Sequence, residues 1–191
     1  AFEHIGPDTT QHTYENKVQA SSSILSFPEV DSIYVEALGL YEYPPINKWD
    51  YNPILGGNSI SASKALSKWN AKLGYSKQVH MLICVFKDKS NDAGLMQESY
   101  WSGSNKNEVV LCIGLDNKGN IDWTYVISWT DEVGFKLDLQ EDVRKMEFDL
   151  EKIVSYMSGE VQGKFIRKQF ADFSYLKVEP TSRAIMITFF L

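Results

Sequence analysis

KQVHMLICVF (residues 77–86) and NEVVLCIGL (residues 107–115) are the two segments on which the fold turns. Each is almost continuously apolar and rich in β-branched residues. Each is also too short for a buried helix. Such runs read as strands covered on both faces, as in a sheet sandwiched between helices. His80 sits inside the first run. A lone histidine among apolar neighbours is expected to be a hydrogen-bonded core residue.

The flanking sequence supports that picture. SISASKALSKWNAKLG (59–74) places Ala62, Ala65, Leu66, Trp69 and Leu73 on one helical face. Ser59 or Ser61 is the expected cap and Gly74 the expected stop. A second helix is expected over about residues 91–101, with Gly103 ending it. DNKGN (116–120) is a hairpin turn with Gly119 at positive φ. IDWTYVISW (121–129) alternates strictly, as a half-exposed strand paired antiparallel with its predecessor would. Leu139, Val143, Met146, Leu150, Ile153 and Met157 form one seam, which predicts a single helix over 137–157 and a further helix after it.

Upstream, SIYVEALGLYEY (32–43) reads as a strand from its β-branched and aromatic content. Residues 44–59 read as a long loop, and residues 1–31 as irregular or weakly helical, with a helix around 13–25. The terminal RAIMITFFL reads as a last buried strand, or as the approach to a membrane span. Strands alternating with helices predict one α/β domain over 1–191, with a mainly parallel sheet, an antiparallel hairpin edge and helices on both faces.

Composition narrows the function classes. The 191 residues are 43% apolar and 23% charged, as in an ordinary globular domain. The net charge of −6 and the lack of a Lys/Arg cluster argue against nucleic acid as a partner. Two cysteines, Cys84 and Cys112, are too few for a disulfide scaffold and are expected to be buried thiols, or one cross-strand bridge in an exported protein. No stretch has the length of a membrane span or the pattern of a signal peptide, and the first residue, Ala1, suggests processing.

Motifs for chemistry are sparse. The polar loop 102–107 follows a helix and opens a strand, the reverse of a phosphate-cradling loop. No H-E-x-x-H, C-x-x-C or G-x-S-x-G occurs. A divalent cation, Ca2+ or Mg2+, would be sought at the carboxyl ends of the strands, where Asp88, Asn91, Asp92 and Asp116 fall. Trp49 and Tyr51 on the long loop, with Asn105, Lys106, Asn107 and Glu108 before the second buried strand, form the candidate binding surface.

From Ser59 to Ser128 the order is a capped helix, KQVHMLICVF, a helix ending in Trp101-Ser102-Gly103, an Asn- and Lys-bearing turn, NEVVLCIGLD, a tight turn and NIDWTYVIS. This resembles the TPM domain, an α/β module usually tethered to membranes outside the cytoplasm. SNKNEVVLCIGLD is similar to that family's "NxGVLL"-type strand element. Glu108 stands where the family tends to carry glycine, and VISWTDE replaces its "GxGxE"-like ending. Members are linked to phosphatase-like activity, calcium binding, or assembly and repair of membrane complexes. The resemblance thus implies a membrane-tethered, extracytoplasmic domain. The first expectation is a non-catalytic one binding a protein partner or small ligand. The alternatives are a metal-dependent phosphatase-like hydrolase and a soluble, cytoplasmic accessory protein.

Overall fold

A computed structural model describes residues 27–45 and 51–173. The two apolar segments are strands β2 (His80–Lys87) and β3 (Glu108–Leu115). They pair in parallel and in full register, from His80 opposite Glu108 to Lys87 opposite Leu115. A two-residue strand, β1 (Ile54–Leu55), pairs in parallel with β2, and β4 (Ile121–Ile127) pairs antiparallel with β3. The sheet order is β1-β2-β3-β4. Three parallel strands with an antiparallel edge form the expected α/β sheet.

Both faces of the sheet are covered. On one, Met81, Ile83, Val85, Leu111 and Ile113 pack with helices α2 (Ile60–Lys77), α4 (Val133–Arg144) and α5 (Leu150–Lys164). On the other, Leu82, Cys84, Phe86, Val110 and Cys112 meet Ala93 of α3 (Asp92–Tyr100), Trp101, Trp123 and the chain around Leu40 to Tyr43. Alternate residues of each strand therefore serve opposite cores, which explains why the runs are apolar throughout. β1, β2 and β3 step the same way across the sheet, yet α2 and α3 lie on opposite faces. The two crossovers consequently have opposite hands, and one departs from the usual right-handed rule.

Several local expectations are met. Ser59 caps α2, its Oγ accepting from the Ala62 amide at 3.2 Å. Gly103 (φ +78°) follows α3 and donates to the Glu98 carbonyl at 2.8 Å. Gly119 takes φ +85° in the β3–β4 turn. Cys84 and Cys112 are free, buried, and opposite one another on β2 and β3.

Other expectations are corrected. Residues 32–43 are not a strand: Ser32–Leu38 is helix α1, capped by Asp31 and closed by Gly39 at φ +65°. The cap at Asp31 and the left-handed closure at Gly39 outweigh the β-branched content between them. The long connection instead supplies β1. α2 runs past Gly74 to Lys77 and ends at Gln78 in the left-handed region (φ 54°). The seam over 137–157 is divided between α4 and α5, because Asp149 caps a new helix by accepting from the Glu151 and Lys152 amides. All its seam residues still face one core. The expected helix near 13–25 and the C-terminal strand lie outside the described residues.

Candidate functional site: a buried carboxylate beneath an aromatic groove

The parallel register sets His80 and Glu108, the first residues of β2 and β3, side by side. Glu108 is 1% exposed. A carboxylate so deep needs several donors, and it has them. Oε1 accepts from the Tyr43 hydroxyl and lies 3.2 Å from His80 Nδ1. Oε2 accepts from the Ser104 hydroxyl and, at 3.0 Å, from the Asn105 amide. The far side of the imidazole, Nε2, meets the Tyr51 hydroxyl. The imidazole thus bridges the carboxylate, through Nδ1, and the Tyr51 phenol, through Nε2. Asn105 Nδ2 donates to the Tyr43 hydroxyl at 2.9 Å, closing the ring of contacts.

The electrostatics follow from these partners. Burial is the largest influence on Glu108 and pushes its pKa up. The hydrogen bond and charge of His80, with the hydroxyls of Ser104 and Tyr43, outweigh it and hold the carboxyl below its ordinary value. Burial raises the Tyr43 phenol strongly, and Glu108 adds to it. Tyr51 is pushed up to about 12, chiefly by burial. Both phenols remain protonated donors at neutral pH.

Three elements hold the ring in place. The 102–104 turn contains Ser102, Gly103 and Ser104 in succession at positive φ, which folds Ser104 back under the start of β3. A Cβ on Gly103 would lie 2.6 Å from the Phe27 ring and 3.2 Å from Trp129 Nε1, so glycine is also needed there for space. Fully buried Gln97 of α3 fixes the other side: its Oε1 accepts from the Tyr41 amide at 2.8 Å and its Nε2 donates to the Tyr41 carbonyl at 3.0 Å. Trp101 Nε1 donates to the same carbonyl at 2.7 Å. These bonds position Tyr43 two residues later.

Above the ring lies a groove of about 450 Å³ lined by Glu42, Tyr43, Tyr100, Trp101, Ser102, Ser104 and Asn105. Tyr43 and Trp101 meet edge to face, with centroids 5.2 Å apart and planes at 76°. The Tyr100 hydroxyl donates to Glu42 at 2.5 Å. Tyr43, Ser104 and Asn105 belong both to the groove and to the Glu108 ring.

Of the residues singled out from sequence, Tyr51, Asn105 and Glu108 meet at this site. Asn107 joins through its backbone, its carbonyl accepting from the His80 amide at 2.9 Å. Lys106 is buried but does not line the groove; burial and then Arg167 lower its pKa, opposed by Asp172. Trp49 lies outside the described residues. Tyr43 was missed because its segment read as a strand. His80 was read as a core residue, although two apolar runs that each open on a polar residue are a signal that parallel pairing would join them.

The metal candidates lie at the opposite end of the strands. The Asp88 amide donates to the Leu115 carbonyl at 3.0 Å, which places Asp88 and Asp116 at adjoining strand ends. Asn91 and Asp92 begin α3. Asp116 is occupied by its own turn, accepting from the Lys118 and Asn120 amides and the Asn120 side chain. The Asn120 bonds lead in holding its pKa down. Asp92 accepts from the Ser90 hydroxyl at 3.1 Å. Among the described residues, no group of three or more His, Cys, Asp or Glu side chains is placed to hold a metal ion.

Comparison with protein-family models, with curated proteins and with solved structures returns no match to this chain. The functional reading therefore rests on the site itself.

Proposed function

We propose that this chain is a non-catalytic α/β binding domain that takes a small ligand in the groove over Glu108. The observation that carries the reading is an open groove bordered by aromatic residues above a ring of fixed polar groups around one buried carboxylate. Ligand sites commonly combine an apolar or aromatic wall with a few convergent polar atoms. A volume of about 450 Å³ lies within the range of small-molecule sites. The membrane-tethered, extracytoplasmic setting enters this proposal from the TPM resemblance alone. Among the described residues, no helix is long and apolar enough to cross a membrane.

The test is a ligand-observed NMR fragment screen on the wild type and on Tyr100→Ala. Tyr100 lines the groove and packs against the edge of the second core, so the fold of the variant is checked by its thermal melt before the screen. Fragments that bind the wild type are expected to lose most of their affinity for the variant and to be recovered chemically unchanged. Hits that bind both proteins equally would remove the groove from consideration, and turnover of a bound fragment would overturn the non-catalytic reading.

A further inference from the structure

Independently of the groove, we infer that the outer face of α2 docks on an anionic lipid bilayer. At 3.6 residues per turn, Ile60, Lys64, Lys68, Lys72 and Tyr75 fall within about 120° of the helix circumference. The opposite side, with Ala62, Leu66 and Leu73, is buried in the core. The chain as a whole carries a net charge of −6, yet α2 holds four lysines and no acidic residue. Lys77 is used within the fold, donating to the Phe165 carbonyl at 2.9 Å. Lys64, Lys68 and Lys72 are exposed, and among the described residues no carboxylate forms an ion pair with any of them. Lys72 Nζ lies over the Trp69 ring, 4.5 Å from its centroid. One carboxylate, Glu151 of α5, reaches the N-terminal end of the face and accepts from the Ser61 hydroxyl at 2.5 Å. Spaced four apart, the three lysines do not form a cluster along the chain; the helix turns them into a row.

The side chains on this face select a lipid surface among anionic partners. Ile60 is 77% exposed and Tyr75 94% exposed, one at each end of the lysine row and about 22 Å apart along the helix axis. A bilayer interface accepts both an aliphatic side chain and an amphipathic phenol at the level of its head groups. Lysine suits the phosphates of a fluid leaflet, because a point charge on a flexible stem needs no fixed partner geometry. A folded acidic protein is matched less well. Protein interfaces are depleted in lysine and enriched in arginine, whose planar fork holds a carboxylate bidentately, and this row contains no arginine. A straight helix can also lie on a plane along its whole outer face while its inner face stays in the core.

The test is flotation of the full chain with mixed phosphatidylcholine–phosphatidylglycerol vesicles and with pure phosphatidylcholine vesicles, at low ionic strength. The chain is expected to float with the anionic vesicles only and to be released by added salt. Each lysine near an anionic leaflet is worth about a factor of five, so the triple variant Lys64→Gln, Lys68→Gln, Lys72→Gln should partition about a hundredfold more weakly. The control variant Lys87→Gln, Lys118→Gln, Lys145→Gln changes the net charge equally at exposed positions off this face and should partition nearly as the wild type does. Tyr75→Ser should weaken binding several-fold. Thermal melts of all variants confirm that the fold is kept. No binding to the anionic vesicles, equal binding to both kinds of vesicle, or equal losses in the two triple variants would overturn the inference. Tighter binding of polyglutamate or of duplex DNA than of the anionic vesicles, at matched charge concentration, would reassign the row to an acidic protein or a nucleic acid and overturn it too. The fragment screen reads the groove separately, so either reading can fail while the other stands.

Discussion

Glu108 shows how one side chain joins stability to the site. Its four partners come from β2, the 102–105 turn and the 41–43 segment. Replacement by alanine removes the acceptor that all four donors share, three of which border the groove. Glu108→Ala is therefore expected to cost about 3 kcal/mol, and Glu108→Gln, which retains acceptor capacity at one atom, about 1–2 kcal/mol. Urea denaturation at pH 7 measures both. The pH dependence has a definite sign. The folded-state pKa of Glu108 is lowered, so its contribution is complete above the unfolded carboxyl value of about 4.3. It is lost as pH falls from there through the folded value. The stability gap between wild type and Glu108→Gln should narrow below about pH 4.3 and stay level above it. A gap unchanged down to pH 3 would show that Glu108 is not the ionised hub described here. Gly114 makes a simpler case on the same sheet. A Cβ there would overlap the Trp123 indole, which lies across its register partner position. Gly114→Ala should cost about 1–3 kcal/mol through overpacking, measured the same way.

The elements are finished by amide side chains where strands run out. β1 is only two residues long and pairs with Ile83 and Cys84. Nothing in β1 reaches Met81. Asn70 of α2 fills the gap: Nδ2 donates to the Met81 carbonyl at 2.9 Å and Oδ1 accepts from the Met81 amide at 2.8 Å. Its side chain thus imitates a strand residue. Gln140 of α4 does similar work on the opposite edge, accepting from the Val126 amide at 3.0 Å. Gln97 does it for the Tyr41 backbone. Asn70→Ala leaves a donor and an acceptor unpaired and should cost about 2–3 kcal/mol. Asn70→Asp can only accept, so it should lie between alanine and wild type at pH 7. Hydrogen exchange at the Met81 amide reports the effect locally; unchanged protection in Asn70→Ala would refute the strand-substitute role. None of these amides could be recognised from sequence. Their helical positions were readable, but which backbone groups lacked a partner depends on how short β1 is.

As a whole, the molecule is a sheet with two cores, and its thiols report on both strands at once. Cys84 and Cys112 are buried and face each other across β2 and β3, and burial raises the Cys84 thiol well above its ordinary value. Neither should react with an aromatic disulfide reagent in the native state, since the thiolate is the reactive form and access is closed. Labelling should follow global unfolding, with a rate that rises with urea as the unfolding equilibrium does. Labelling that is fast in native buffer would mean that the centre of the sheet opens locally. The layered order of the domain was legible because periodicity survives without knowledge of neighbours. β2, β3, the Gly119 hairpin and the α2 cap are all local patterns of burial and turn chemistry. The 32–38 helix was not legible, because Asp31 and Gly39 act on a segment whose composition favours the extended state. The opposite hands of the two crossovers were not legible either, since helix periodicity does not say which face of the sheet is covered.

Amino-acid order alone was enough to specify two buried strands, the hairpin beside them and an α/β class, because burial on both faces demands unbroken apolar runs and turns demand particular backbone freedom. It also placed Tyr51 and Asn105 to Glu108 among the residues to watch. The meeting of Tyr43, Tyr51, His80 and Glu108 came from the fold. These residues are far apart along the chain, and it is the in-register parallel pairing of β2 with β3 that seats one polar strand start against the other and gathers the phenols around them.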